Sequence, residues 1–301
     1  MRVAPVDLDP ADVAAVLAVG WGLRDVGLTY TPVGFGAHHW VADVAGRAVW
    51  FVTATPAGEA VEPAFRTARA LADLGVAGVV APVTTELGDV VEPYRRHLLS
   101  VTPWLPDAVE HPGEGPEVVE LLASLHRATD AVRWLARRDD LTVEARPALE
   151  RALAELDRPW GDAPYAADVR ALLAAAADRV RAGLAAHDTR AARVDPASFV
   201  VTHGEPKPGN LLATPSGIAL VDWDTALLAP AERDLWRLPD VDRAAYTART
   251  GRDLDPDVLA LYRDRWDLTD VALYVAELRE APTRTDDAET AWAVLRGLLR
   301  P

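Results

Sequence analysis

The segment from Ser198 to Trp236 constrains the fold of this chain most, because short apolar runs in it enclose a polar loop. A first apolar run, Phe199–Thr202, has the composition of a β-strand and leads into the loop 203–210. Two further runs, Leu211–Ala213 and Ile218–Val221, flank a turn of Thr, Pro, Ser and Gly, a pattern that predicts a tight hairpin. The loop and the hairpin therefore bring polar side chains from separate positions to one place.

Four of these polar side chains suit phosphoryl transfer: Glu205, Lys207, Asn210 and Asp222. The reaction depends mostly on positioning and on neutralising charge. A carboxylate such as Glu205 can orient a hydroxyl group and take its proton, and Lys207 can offset charge on the moving phosphoryl group. Asn210 and Asp222 offer the hard oxygen ligands that Mg²⁺ prefers.

The segment resembles the catalytic loop of the kinase superfamily, and of the aminoglycoside phosphotransferase family above all. That family carries His-Gly-Asp-x-x-x-x-Asn, then a strand that ends in Asp-Trp, then an Asp-Leu pair. The matching positions are His203, Gly204, Glu205, Asn210, Asp222, Trp223, Asp234 and Leu235. The resemblance implies that Glu205 is the base, assisted by His203 and Lys207 in the catalytic group. It also implies that Asn210 and Asp222 hold Mg²⁺ and that Asp234 braces the loop.

The chain departs from the family pattern at two positions. The catalytic Asp of the family is Glu205 here, and one more methylene moves the carboxylate by about 1.5 Å. Either the loop is shaped for Glu, or catalysis is weak. The second departure is Thr53, which stands where kinases place a Lys that contacts the nucleotide phosphates; Lys207 is the only Lys in the chain.

Nucleotide-binding residues follow from the same resemblance. A Gly-x-Gly turn lets backbone N–H groups approach phosphates, and here it predicts contacts from Gly34, Phe35, Gly36 and His38. The neighbouring His39 is a second candidate donor. The segment 100–102 precedes the prolines of a predicted hinge, and its Ser100, Val101 and Thr102 are expected at the adenine edge. The nucleotide is expected to be ATP, with GTP as an alternative.

Composition bears on the partner rather than on the fold. The formal net charge is −15, which disfavours nucleic acid and favours a cationic small molecule through long-range steering. The acidic C-terminal helices are expected to contact such a substrate in this family. The candidate acceptor-binding residues are Asp224, Arg263, Asp267, Asp270 and Glu277. No run is apolar enough to span a membrane, so a cytoplasmic location is expected.

The expected fold is α+β, namely the two-lobed protein-kinase-like fold with a small β-rich N-lobe and a larger helical C-lobe. The predicted boundaries are 1–101 for the nucleotide-binding lobe, 102–106 for the hinge and 107–301 for the helical lobe. Valine-rich runs at 76–83 and 90–101 predict two of the N-lobe strands.

The function implied is Mg²⁺-dependent transfer of a phosphoryl group from ATP or GTP to a hydroxyl of a small cationic antibiotic, an aminoglycoside or a basic cyclic peptide. Two alternatives stay open. One is a metabolite kinase of the choline, homoserine or fructosamine type. The other is a pseudokinase that binds a nucleotide without turnover, which the departures at Glu205 and Thr53 would suit.

Overall fold

The computed structural model describes residues 4–5, 7–34 and 36–300. Contacts divide the chain into two compact units, and each unit is built from two separate stretches. The first unit is Met1–Arg138 with Pro196–Leu254, and the second is Asp139–Asp195 with Asp255–Pro301. The first unit thus contains both the sheet and the polar loop 203–210. The boundaries proposed for the lobes and the hinge stay a prediction.

A five-stranded antiparallel sheet forms the N-terminal part of the first unit, in the order β1-β2-β3-β5-β4. Its strands are β1 (Val26–Tyr30), β2 (His38–Val44), β3 (Arg47–Pro56), β4 (Glu92–Tyr94) and β5 (His97–Pro103). The strands expected within 28–44, 47–53 and 90–101 are confirmed. Strand β5 extends to Pro103, which pairs with Trp50 of β3, so the first residues of the predicted hinge belong to the sheet.

The strand predicted at 76–83 is wrong. The segment makes only an isolated bridge, between Val79 and Leu220. Gly75 and Gly78 adopt φ of 76° and 81°, values that turn the chain away from an extended path. A Cβ at Gly78 would also lie 2.7 Å from the carbonyl oxygen of Ile218, so this turn packs directly on the hairpin of the polar loop.

One face of the five-stranded sheet is covered by helix α1 (Pro10–Gly20), which begins after the N-cap Asp9. Val13 and Leu17 of α1 join a buried core with Trp40, Val52 and Val101. Because side chains alternate along a strand, the residues between these core positions project from the opposite face. Helix α2 (Val61–Asp73) follows β3 along the chain.

The rest of the first unit combines short strands with helices around the polar loop. The strands are β6 (Val109–Glu110), β7 (Val200–Thr202), β8 (Leu211–Thr214), β9 (Gly217–Leu220) and β10 (Leu227–Ala229). The helices are α3 (Pro116–Arg127), α4 (Thr129–Val132), α7 (Glu232–Leu235) and α8 (Asp240–Thr250). The hairpin β8–β9 and the strand β7 confirm the prediction made from their apolar runs; β6 and β10 were not foreseen.

The second unit is helical, with α5 (Arg146–Ala154), α6 (Ala166–Ala191), α9 (Pro256–Glu280) and α10 (Asp286–Leu299). Leucine, valine and alanine side chains from all four helices form one buried core. The α+β class is therefore confirmed, with an antiparallel sheet and a mainly helical remainder. Over the part of the chain that the structure describes, none of the helices has the length and apolar character needed to cross a membrane.

Candidate active site

The hairpin brings the two predicted metal ligands to adjacent positions on the backbone. Leu211 of β8 pairs with Leu220 of β9, so the next residues outward, Asn210 and Val221, also face each other. The N–H of Val221 donates a hydrogen bond of 3.0 Å to the carbonyl oxygen of Asn210. Asp222 follows directly, and the register of the hairpin thereby fixes it beside Asn210.

The side-chain amide of Asn210 is oriented by the loop itself. Its Nδ2 donates a hydrogen bond of 3.0 Å to the carbonyl oxygen of Glu205, and the residue is only 9% exposed. Because this bond uses the amino group, the oxygen Oδ1 is left for a different partner. An amide oxygen held in this way is a suitable ligand for Mg²⁺.

Glu205 and Lys207 form an ion pair at the front of the loop. The Lys207 Nζ lies 2.6 Å from the Glu205 Oε2, and each side chain is about one-third exposed (31% and 29%). The backbone closes a turn over the same residues, since the Lys207 N–H donates to the Glu205 carbonyl oxygen at 2.9 Å. The predicted base and the predicted cation therefore lie side by side, within reach of solvent and of a ligand.

Two more carboxylates stand close to this pair. Asp222 has φ of 67°, in the left-handed region where Asp and Asn are the best tolerated side chains after Gly. Nearby protein atoms and then the charge of Glu205 raise the pKa of Asp222 to about 6, while the residue as a whole is exposed to solvent. Burial and the charges of Asp222 and Glu205 raise the pKa of Asp224 to about 7.

These carboxylates have the chemistry of a divalent-cation site. Lys207 pairs with Glu205, and its charge also acts on Asp222 and Asp224; burial is the main cause of the raised pKa values of these two aspartates, and the charge of Glu205 adds to it. Among the described residues, no group of three or more His, Asp or Glu side chains encloses a metal site. Asn210 and Asp222 offer one amide oxygen and one carboxylate, and this donor chemistry suits Mg²⁺, which is commonly held by one or two carboxylates together with water and nucleotide phosphates.

The rear of the loop is closed and fully hydrogen-bonded. Asp234, 2% exposed, accepts the backbone N–H of His203 at Oδ2 (2.9 Å) and that of Gly204 at Oδ1 (2.6 Å). Burial acts to raise the pKa of Asp234, but the hydrogen bond from His126 and the nearby charges of His126 and Arg233 outweigh it, so the pKa is lowered. Asp234 thus braces the loop as an ionised carboxylate.

His203 uses both ring nitrogens within the loop. Its Nδ1 accepts the backbone N–H of Glu205 at 3.2 Å, so the ring proton is on Nε2, which donates to the carbonyl oxygen of Val221 at 2.9 Å. Burial lowers the pKa of His203 to about 4, and the ring is therefore neutral at pH 7. These bonds tie the base-bearing loop to the segment that carries Asp222, and we propose that His203 acts by positioning.

A second layer behind Asp234 was not identified from the sequence as part of the site. His126 of α3 places Nε2 3.1 Å from Asp234 and Nδ1 2.7 Å from the hydroxyl of Tyr246 in α8. Arg233 bonds to Thr202, and its guanidinium fills the space where a Cβ at Gly204 would lie. Position 204 has a φ of 101°, and glycine is therefore the only residue type that fits there.

The predicted phosphate-binding turn lies between β1 and β2. Gly34 and Gly36 have φ of 67° and 85°, so both positions favour glycine. Phe35, predicted to contact the nucleotide, lies outside the described residues. The Nδ1 atom of His38 lies 3.2 Å from the hydroxyl oxygen of Tyr30. Nucleotide contacts from this turn stay a prediction.

The predicted adenine-contact segment is inside β5. Ser100 and Val101 are 3% and 0% exposed, and the carbonyl oxygen of Val101 accepts the N–H of Val83 at 2.8 Å. Thr102 is partly exposed and pairs with Phe51 of β3. The role of this segment stays a prediction, and Thr102 is its most accessible member.

Of the candidate acceptor-binding residues, only Asp224 belongs to the unit that contains the loop. The other four lie on α9 of the second unit: Arg263, Asp267, Asp270 and Glu277. On that helix, burial and the charges of Asp270 and Glu277 raise the pKa of Tyr274. Their role in binding an acceptor also stays a prediction.

Comparison with known proteins identifies a family that matches most of the chain. A family model described as the phosphotransferase enzyme family (APH) matches residues 29–296. Protein StrN from Streptomyces griseus is 28% identical over 245 residues, which cover 76% of this chain and 74% of that protein.

The fold has solved counterparts. Spectinomycin phosphotransferase APH(9)-Ia, in complex with ADP and spectinomycin, superposes with a TM-score of 0.77 at 16% identity, over 98% of this chain and 95% of the other. Amicoumacin kinase hAmiN, in complex with AMP-PNP, Ca²⁺ and Ami, gives a TM-score of 0.61 at 14% identity, over 97% and 93%. At such identities the likeness establishes the kinase-like fold, as predicted.

Proposed function

This chain belongs to the phosphotransferase enzyme family (APH) and is a small-molecule phosphotransferase; from this premise we propose that it moves the γ-phosphoryl group of ATP, with Mg²⁺, to a hydroxyl of a small cationic antibiotic. The observation that carries the proposal is the front of the loop. There Asn210 is oriented by the Glu205 carbonyl and adjoins Asp222, while three carboxylates share one lysine.

The residues of the loop have separate tasks in this reaction. Glu205 accepts the proton of the acceptor hydroxyl as its oxygen forms a bond to the γ-phosphorus and the bond to the β-phosphate oxygen breaks, with ADP as leaving group. Lys207, 2.6 Å from Glu205, offsets charge on the phosphoryl group in transit. Asn210 and Asp222 would hold Mg²⁺, which supplies charge neutralisation along the triphosphate.

A cationic acceptor is supported by charge. The chain carries a formal charge of −15, and the acceptor candidates on α9 are mostly acidic. Related folds belong to proteins described as acting on or binding spectinomycin and amicoumacin. We therefore place antibiotic inactivation first, in the cytoplasm where ATP is present, with an aminoglycoside or a basic cyclic peptide as acceptor.

The test is Mg²⁺-dependent ADP formation with a panel of acceptors: spectinomycin, other aminoglycosides, a basic cyclic peptide antibiotic, choline, homoserine and fructosamine. We expect turnover with at least one cationic antibiotic, and a loss of about 10²-fold or more in Glu205→Gln and in Asp222→Asn. Asp253→Asn, in the exposed loop between α8 and α9, is the matched control and keeps full turnover.

Other results would redirect the assignment. Turnover with choline, homoserine or fructosamine alone would make the chain a metabolite kinase. Nucleotide binding without turnover above that of Glu205→Gln on any acceptor would identify a pseudokinase and refute the proposal.

A further inference from the structure

Three polar side chains form a row across the middle of the five-stranded sheet. His39 of β2 pairs with Thr53 of β3, and Thr53 pairs with Ser100 of β5. Their neighbours Trp40 and Val52 are in the core beneath α1. Because alternate residues of a strand project from opposite faces, the row His39–Thr53–Ser100 lies on the face that α1 does not cover.

The imidazole of His39 is held in one orientation. Its Nδ1 lies 3.1 Å from the Thr53 hydroxyl, and its ring stacks on Phe51 with 5.1 Å between centroids and 21° between planes. The other end of the ring faces the glycine turn, since a Cβ on Gly34 would lie 3.4 Å from Nε2. A Cβ at Gly34 would touch this nitrogen, and His39 as a whole is 8% exposed.

His39 Nε2 has no hydrogen-bond partner among the described residues, and the only bond that the ring makes there is the one to Thr53. Burial is the largest cause that lowers the pKa of His39 to about 4. At pH 7 the ring is therefore neutral and has a single N–H. When the Thr53 hydroxyl donates to Nδ1, this N–H is on Nε2 and points toward the turn.

Two arginines of α2 form ion pairs with acidic residues. Arg66 pairs with Glu62 and with Asp89, and Arg69 pairs with Asp73. His39 is a nitrogen donor in direct contact with Thr53, at 3.1 Å from its hydroxyl oxygen.

We propose that His39, oriented by Thr53, donates its Nε2–H to a phosphate oxygen of the bound nucleotide beneath the turn at Gly34. The pair His39–Thr53 then does the work of the lysine that related kinases carry at the position of Thr53. This inference rests on the proposed function, because it requires a nucleotide in that site. It assigns a neutral, directional contact in place of a charged one, and leaves charge neutralisation to Lys207 and Mg²⁺.

The experiment measures binding of ADP with Mg²⁺, and of adenosine, by ligand-observed NMR competition, without any acceptor. We expect His39→Leu to weaken ADP binding about tenfold or more, since hydrogen bonds to charged groups are among the stronger ones, and to leave adenosine binding within about twofold. His39→Gln, whose amide N–H can reach toward the position of Nε2, recovers most of the ADP affinity.

Thr53→Val removes the hydroxyl that orients the ring while keeping a β-branched strand residue. We expect it to weaken ADP binding by about three- to tenfold, with adenosine binding again unchanged. Thr29→Val, the same substitution at an exposed position of β1, is the matched control and should leave the affinity for ADP and for adenosine unchanged.

The outcomes separate the two proposals. If wild-type protein binds ADP and the His39 variants bind it equally well, or lose ADP and adenosine in equal proportion, this inference is overturned and the proposed function stands. If wild-type protein binds no ADP at all, the proposed function fails, and the assignment of His39 fails with it.

Discussion

The front and the rear of the catalytic loop handle charge in opposite ways, although they are joined by three consecutive residues, 203–205. At the rear, Asp234 is buried, accepts two backbone N–H groups and contacts His126, and its pKa is lowered. At the front, Asp222 and Asp224 have raised pKa values beside Glu205.

The difference teaches where stability and function are located. A buried charge with a full set of hydrogen bonds favours the folded state, whereas carboxylates that repel one another reduce stability until a cation joins them. The rear therefore fixes the loop before any ligand arrives, and the front is poised to bind a divalent ion. Substitutions on the two sides should have effects that differ in kind.

The largest effect is expected from removal of the rear brace. Asp234→Ala leaves two buried backbone N–H groups and His126 without their acceptor, so we expect the free energy of unfolding to fall by about 3–5 kcal/mol. Urea denaturation of the wild type and of Asp234→Ala at pH 7 measures this loss of unfolding free energy. A loss below about 1 kcal/mol would show that the brace does not hold the loop.

Asp222→Asn tests the front and is expected to act on turnover instead. Asparagine tolerates the φ of 67° at this position, and the substitution removes a like charge, so stability without metal should not fall. Mg²⁺-dependent turnover should fall about 10²-fold because a metal ligand is weakened. Urea denaturation measures the stability of this variant, and an ADP-release assay measures its turnover. If Asp222→Asn unfolds as easily as Asp234→Ala, the distinction between the front and the rear of the loop is wrong.

Acidification should weaken the rear. The folded-state pKa of His203 is about 4 and the unfolded value is about 6.5, so the unfolded chain binds the proton first and stability falls as pH drops from about 6.5 toward 4. His203 alone should cost about 2 kcal/mol of unfolding free energy at pH 5.

The front should respond with the opposite sign, since carboxylates with raised pKa values take up protons in the folded state over the same range. Urea titrations at pH 7 and pH 5 on wild type and on Asp224→Asn should therefore show a steeper acid loss in the variant. An equal or shallower loss in the variant would contradict the assignment of opposite signs.

The smallest effect is expected from Glu205→Asp. The shorter side chain withdraws the carboxylate from Lys207, now 2.6 Å away, and from the acceptor hydroxyl. If this loop is shaped for glutamate, kcat should fall about tenfold while the KM for ATP changes little. A rise in kcat would instead mean that Glu205 is a weakened version of the aspartate found in related enzymes.

The local signals in the sequence were sufficient for the loop and its hairpin. Short apolar runs and a Gly-containing turn predicted the strands. The spacing of His203, Glu205, Asn210 and Asp222 predicted a shared site. The prediction of a strand at 76–83 was wrong, because the valines of this run fit a strand while Gly75 and Gly78 turn the chain. Apolar content alone does not distinguish a strand from a packed turn.

The rear layer could not be predicted in the same way. His126 and Tyr246 are far from Asp234 along the chain and carry no motif of their own, so only the packing of α3 and α8 reveals their contact. A lone histidine on an apolar helix face is a weak sign of such a role. The pairing of His39 with Thr53 was equally hidden, because it depends on strand register.

The sequence by itself determined which polar side chains this protein has for its site, namely carboxylates, the amide of Asn210 and a single lysine, and the spacing that places them on one loop and hairpin. Only the tertiary structure decided the electrostatic state of those groups. Burial and neighbouring charge shift the pKa values of Asp222, Asp224 and Asp234, and both causes arise from residues separated in the chain that folding brings within a few ångströms.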